Sequence, residues 1–150
     1  MPQAPDLTRT TPRSPFDELE GYAWLPRMID KARAFYAGTH GEYSPYPCMG
    51  DKGFLGAFQL DANAIGDLIK GGADDEAIAA YVRQHAHGDK EAFRQSLRNP
   101  RSNPIIGIAL FFMRRNLKKK LGATRPDVDW TKVDAIPKLL AIEEGHSLPA

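Results

Sequence analysis

Residues 25–38 read Leu-Pro-Arg-Met-Ile-Asp-Lys-Ala-Arg-Ala-Phe-Tyr-Ala-Gly. Leu25, Met28, Ile29, Ala32 and Tyr36 recur at i, i+3, i+4, i+7 and i+11, the spacing that lines one face of an α-helix. Pro26 suits the first turn, where amides have no intrahelical partner, and Gly38 suits the left-handed residue that stops a helix. The stretch therefore predicts a helix.

Downstream, the same signals repeat. Residues 38–53 break the periodicity with glycines and with Pro45 and Pro47 around Tyr43, Tyr46 and Cys48, which predicts an aromatic-bearing loop of the kind that often carries function. Asp51 reads as the cap of a short helix holding Phe54, Leu55 and Phe58. Asp61 precedes Ile65, Leu68 and Ile69 with Gly71 as the stop. Asp74 precedes Ile78, Tyr81, Val82 and His85 with Gly88 as the stop. A further helix starts near Asp89 or Lys90, carries Phe93 and Leu97, and ends before Pro100. Ser102 or Asn103 is placed to cap Pro104 to Leu121, whose first half, Ile105 to Met113, is apolar all round and predicts a helix buried on every side. A last short helix holds Ile136, Leu139 and Leu140, with Pro137 in its first turn.

Nineteen alanines against three valines strengthen the helical reading, since Ala favours helix and Val favours strand. At 150 residues the chain suits one domain, domains clustering at about 100 to 150 residues. Hydrophobic residues at 42%, charged residues at 26% and a net charge of +1 exclude wholesale disorder and a polybasic nucleic-acid tail. The expected fold is all-α: a single compact helical domain over residues 16–150 with one buried central helix. Ahead of it, Pro2, Pro5, Pro12 and Pro15 predict an extended N-terminal arm over residues 1–15. One cysteine forms no internal disulfide, and residues 1–15 lack a signal-peptide core, so the expected compartment is the reducing cytoplasm. The longest apolar run is nine residues where a membrane span needs about 20, so no membrane partner is expected.

The ordered set Asp6-Leu7-Thr8, Pro12-Arg13-Ser14-Pro15, Gly21-Tyr22, Leu25-Pro26-Arg27, Asp30-Lys31-Ala32-Arg33-Ala34, Gly41-Glu42-Tyr43, Cys48 to Asp51 and Phe54-Leu55 resembles a bacterial family built on a domain of unknown function. Trp130 and Glu143-Glu144-Gly145 are similar to that family's C-terminal signature. The resemblance implies a small stand-alone protein with no assigned activity and no catalytic residues. It directs attention to Arg13 through Asp51. One departure stands out: Met49-Gly50 occupies the place where the family carries Pro-Leu, which bears on the rigidity of that turn.

Several constellations have a functional reading and a structural one. Arg27, Asp30, Lys31 and Arg33 lie off the apolar stripe of the first helix, with Arg27 and Lys31 four apart. They read as a grip on an anion or as a solvated, self-paired helix face. Cys48, with Asp51 three residues on and His40 eight residues back, reads as a nucleophile with a His base or as a small structural residue, and the structural role is the expected one. Gly50, Lys52, Gly53 and Gly56 lack P-loop spacing. His85 and His87, two apart on a helix, face different sides and make no metal site; His85 is expected to sit half-buried on its helix's apolar stripe. Arg114, Arg115, Lys118, Lys119 and Lys120 complement the negative end of their helix, and nine cations against five carboxylates after residue 100 make this end basic.

The candidate ligand-binding residues are Arg13, Arg27, Asp30, Lys31, Tyr43, Cys48 and Asp51. No catalytic residue, metal ligand or cofactor is singled out. The expected function is a binding or interaction protein for an anionic small molecule at residues 27–51. The alternatives are a small enzyme acting on an anionic metabolite through the same segment and, less favoured, a nucleic-acid binder through residues 114–120. A homo-oligomer is left open, and nucleic acid is disfavoured as a partner.

Overall fold

Glu20 and Gly21 both take positive φ, 51° and 82°, and reverse the chain between two short strands, β1 (Glu18–Leu19) and β2 (Tyr22–Ala23). The strands pair antiparallel, Glu18 opposite Ala23 and Leu19 opposite Tyr22. Two successive residues at positive φ match the twist of paired strands, which is why a hairpin forms where the helical pattern has not yet begun. It is the only sheet among the described residues of this computed structural model, which describes residues 2–99 and 104–149, with side chains up to 99 and from 107 onward.

The remaining regular structure is helical, and the all-α expectation is met: α1 (Leu25–Ala37), α2 (Met49–Ala57), α3 (Ala62–Lys70), α4 (Asp75–His85), α5 (Lys90–Arg98), α6 (Pro104–Leu121) and α7 (Ile136–Glu143). The chain's contacts divide into two compact units, residues 1–93 and 94–150. The sequence reading, which runs one domain from residue 16 onward, does not place that division.

In the first unit, α1 packs against β1 and α3, and α3 against α4. Leu25, Met28, Ile29 and Ala32 are fully buried, as their spacing predicts, alongside Phe54, Phe58, Ile65, Ile78 and Val82. Asp61 and Asp74 cap α3 and α4, their carboxylates accepting from the Asn63 and Ala77 amides at 2.9 and 2.8 Å. Gly38, at φ 73°, stops α1. His85 departs from expectation: it is exposed, stacked on the Tyr81 ring at 4.1 Å with Nδ1 2.9 Å from the Tyr81 carbonyl oxygen. One turn of helix is enough to satisfy it, so it needs no burial.

The proline-rich arm packs onto this unit. Leu7, Pro12, Ser14 and Pro15 are buried, the Leu7 amide donates to the Thr39 carbonyl at 2.8 Å, and the Thr39 hydroxyl donates to the Pro5 carbonyl at 2.8 Å. Arg13 clamps the arm. Its guanidinium makes two hydrogen bonds to Asp30 (2.8 and 3.0 Å) and one to Asp75 (2.8 Å), while Arg33 reaches the other oxygen of Asp75 at 2.7 Å. At Asp75 partial burial opposes the charge, but the hydrogen bonds and charges of Arg13 and Arg33 outweigh it and hold the carboxyl below its ordinary 3.8. A depressed folded-state value contributes stability above the unfolded value that is lost as pH falls through the folded one. Wild-type stability should therefore decline from about pH 4 downward more steeply than that of Asp75→Asn, read from urea midpoints across an acid series. Parallel slopes would remove Asp75 from the clamp.

In the second unit, α6 lies against α7, and Leu117 joins Val128, Val133, Leu139 and Ile142 in a small core with Leu110, Leu121 and Trp130 against it. Arg125 ties down the C-terminal segment by donating to the carbonyls of Ile142 (2.9 Å) and His146 (3.1 Å) while paired with Asp127. Here the expectation of a helix buried on all sides is wrong. Ile108 is 63% exposed, Phe111 50%, Phe112 55% and Met113 42%. A unit of this size supplies neighbours for one face only, and Leu110, Leu117 and Leu121 are the stripe it covers. The expected capping residues Ser102 and Asn103, and the side chains of Ile105 and Ile106, lie outside the described residues.

Candidate functional site

Trp24 opens the site. It stands before α1 with φ 74°, a left-handed conformation that a bulky residue adopts only when its surroundings hold it. Its ring is the holdfast: indole Nε1 donates to Asp51 Oδ1 at 2.9 Å, and the flat face of α2 at Gly50 receives the six-membered ring. A Cβ at residue 50 would collide with Cζ2 and stand 2.7 Å from Cη2. The absence of a side chain at Gly50 thus makes room for the indole.

Cys48, rather than Asp51, caps α2. Its thiol accepts from the Asp51 amide at 3.5 Å, and Asp51, at the third helical position, accepts from the Cys48 amide at 3.0 Å through Oδ2. This reciprocal arrangement is the capping box, with sulfur in the usual place of a hydroxyl. Asp51 is fully buried and spends both oxygens on these two donors.

The two cations on α1 are buried as well, Arg27 at 2% and Lys31 at 5% exposure, which removes the alternative of a solvated helix face. The Arg27 guanidinium sits 5.5 Å from the Trp24 ring centre and 5.9 Å from that of Tyr43, and Nη1 donates to the Arg13 carbonyl at 3.3 Å. Lys31 Nζ donates to Cys48 Sγ at 3.0 Å. Contacts therefore run without a break from Tyr43 through Arg27, Trp24, Asp51 and Cys48 to Lys31. Five of the seven candidate residues are brought together, and the other two, Arg13 and Asp30, belong to the adjoining clamp. Asp30 pairs with Arg13 across the arm rather than with Arg27 or Arg33 on its own helix.

Sequence reasoning missed Trp24, Asp75 and Arg33's true partner. A tryptophan immediately before a Pro-started helix is a usable signal for the first; nothing local announces a pairing 62 residues apart for the second. His40 has no described contact with Cys48; it lies edge-on to Phe35 at 5.4 Å, with Nδ1 buried and unpaired.

No curated protein matches the chain. A family match covers residues 9–99, well over half of the sequence, and takes in Arg13, Trp24, Arg27, Lys31, Cys48 and Asp51; Trp130 and Glu143 to Gly145 fall beyond it. With that coverage the chain belongs to the family described as Domain of unknown function (DUF5069).

Proposed function

We propose that the family-matched part of this chain is a binding module that takes an anionic small molecule at the Arg27, Lys31 and Tyr43 side of the cluster. Lys31 carries this reading. Its ammonium is almost wholly buried, and among the described residues its polar partner is a sulfur, a weak acceptor. A buried cation is tolerated when paired with opposite charge and a full set of hydrogen bonds, and a carboxylate or phosphate supplies both. Arg27, one turn away, adds a planar fork of donors matched to those groups. Arg13 and Asp30 serve by holding Arg27 and the arm in place.

The test is a thermal-shift series with phosphate, pyrophosphate and di- and tricarboxylates. A ligand at about 100 times its Kd stabilises the native state by about 2.7 kcal/mol. Lys31→Met replaces a buried charge by an apolar chain of similar length, so it should fold at least as well as wild type yet lose the shift. A wild type that no small anion stabilises, or a Lys31→Met variant that responds as wild type does, would defeat the proposal.

The Lys31 contact with Cys48 favours a second reading, an enzyme on an anionic ester, in which the Cys48 sulfur bonds to the acyl carbon or phosphorus as the bond to the ester oxygen breaks, and the thiol's proton ends on the departing alcohol. Cys48→Ser separates the two, because serine is a preferred cap and preserves the helix start. A binding module keeps its ligand shift in Cys48→Ser and resists alkylation of the native thiol. An enzyme binds and loses turnover.

A further inference from the structure

The exposed side of α6 has no role in anything above. By the ~3.6-residue repeat, Ile108, Phe111, Phe112, Arg115, Lys118 and Lys119 share one side of the helix, opposite the buried stripe of Leu110, Leu117 and Leu121. All six are exposed. The side is apolar from Ile108 to Phe112 and cationic from Arg115 to Lys119, and the helix contains no acidic residue. A contiguous exposed apolar patch on a soluble unit marks an interaction surface.

We infer that this side of α6 is a docking surface for a membrane bearing anionic phospholipid. One such partner matches both halves of the face at once: the phenylalanines and Ile108 enter the boundary between headgroups and acyl chains, and Arg115, Lys118 and Lys119 meet the phosphates. A second copy of the chain would cover the apolar half and leave the cations unmatched. A nucleic acid would match the cations and leave Ile108 in water. The expectation of no membrane partner rested on the apolar run being too short to span. Among the described residues no helix is long and apolar enough to cross a bilayer, and that observation concerns spanning alone. It does not bear on a helix lying on the surface, and the run's exposure is what the sequence reading lacked.

The experiment is flotation of the full chain with vesicles of phosphatidylcholine mixed with phosphatidylglycerol, against vesicles of phosphatidylcholine alone. The mixed vesicles should bind about tenfold more tightly, the order expected if one or two of the cations engage, and raised salt should erase most of that difference. The paired change Phe111→Ser, Phe112→Ser should abolish flotation while the circular-dichroism spectrum stays that of wild type, both rings being exposed. Should that variant lose its fold, Lys118→Gln, Lys119→Gln carries the test, with the expected loss confined to the anionic vesicles. Absence of flotation by wild type overturns the inference. So does equal binding to both vesicle types, a dimer in sedimentation that the phenylalanine changes dissolve, or retention on single-stranded RNA in place of vesicles.

Discussion

Asp51→Ala should lower stability by about 3 to 5 kcal/mol, seen as a drop in the urea midpoint with the slope unchanged. The carboxylate is fully buried and receives the Trp24 indole N–H and the Cys48 amide at 2.9 and 3.0 Å. Truncation strands both donors, each costing about 1 to 3 kcal/mol when left buried without an acceptor, and it breaks the capping box as well. Against a typical domain stability of about 5 to 15 kcal/mol that is a large fraction. Asp51→Asn should fall between, because its one carbonyl oxygen serves a single donor and its NH2 then faces the other. A midpoint within error of wild type for Asp51→Ala would mean that Trp24 and α2 are held by something else.

Gly50→Ala should destabilise by about 1 to 3 kcal/mol, the range for forcing extra volume into a packed site. The sign is the informative part. In an open helix position the same exchange stabilises by about 1 kcal/mol, since Ala is the better helix former. At residue 50 the new methyl would meet the indole of Trp24, a rigid, buried ring hydrogen-bonded to Asp51. Gly53, in the same helix with nothing near its Cβ position, is the control, and Gly53→Ala should be neutral or stabilising. Gly50→Ala combined with Trp24→Leu should cost less than the sum of the two single changes, because the smaller side chain vacates the space. Equal gains at both glycines would show that the ring is free to move.

How far the sequence reached depends on the range of the interaction. Starts and stops of helices are written in neighbouring residues, so Pro26, Gly38, Asp61, Asp74 and Pro137 placed α1, α3, α4 and α7 closely. The α2 cap lies three residues ahead of Asp51, at a cysteine, which is not a usual cap, and Asp51 is the carboxylate that completes the capping box. Burial was less legible. Charge implies exposure, which keeps a solvated face open as a reading of Arg27 and Lys31, whereas both are buried, Arg27 beside Trp24 and Tyr43 and Lys31 against Cys48. The error on α6 was the mirror image, since apolar composition implies burial only when enough chain is at hand to do the covering. The Arg13 to Asp75 bond, like the indole seat at Gly50, joins residues that no local pattern relates.

The arm's clamp also sets an order of assembly. Residues 1–15 are made before the helices they dock on, but Arg13 completes its bonding only with Asp75, 62 positions later, at the first turn of α4. Through the synthesis of α1, α2 and α3 the Arg13 side chain has Asp30 alone to pair with, while Thr39 and Arg27 hold the arm's backbone. The arm is thus made before its partners and its clamp is completed after them, so the finished Arg13 clamp reports that the first turn of α4 is in place.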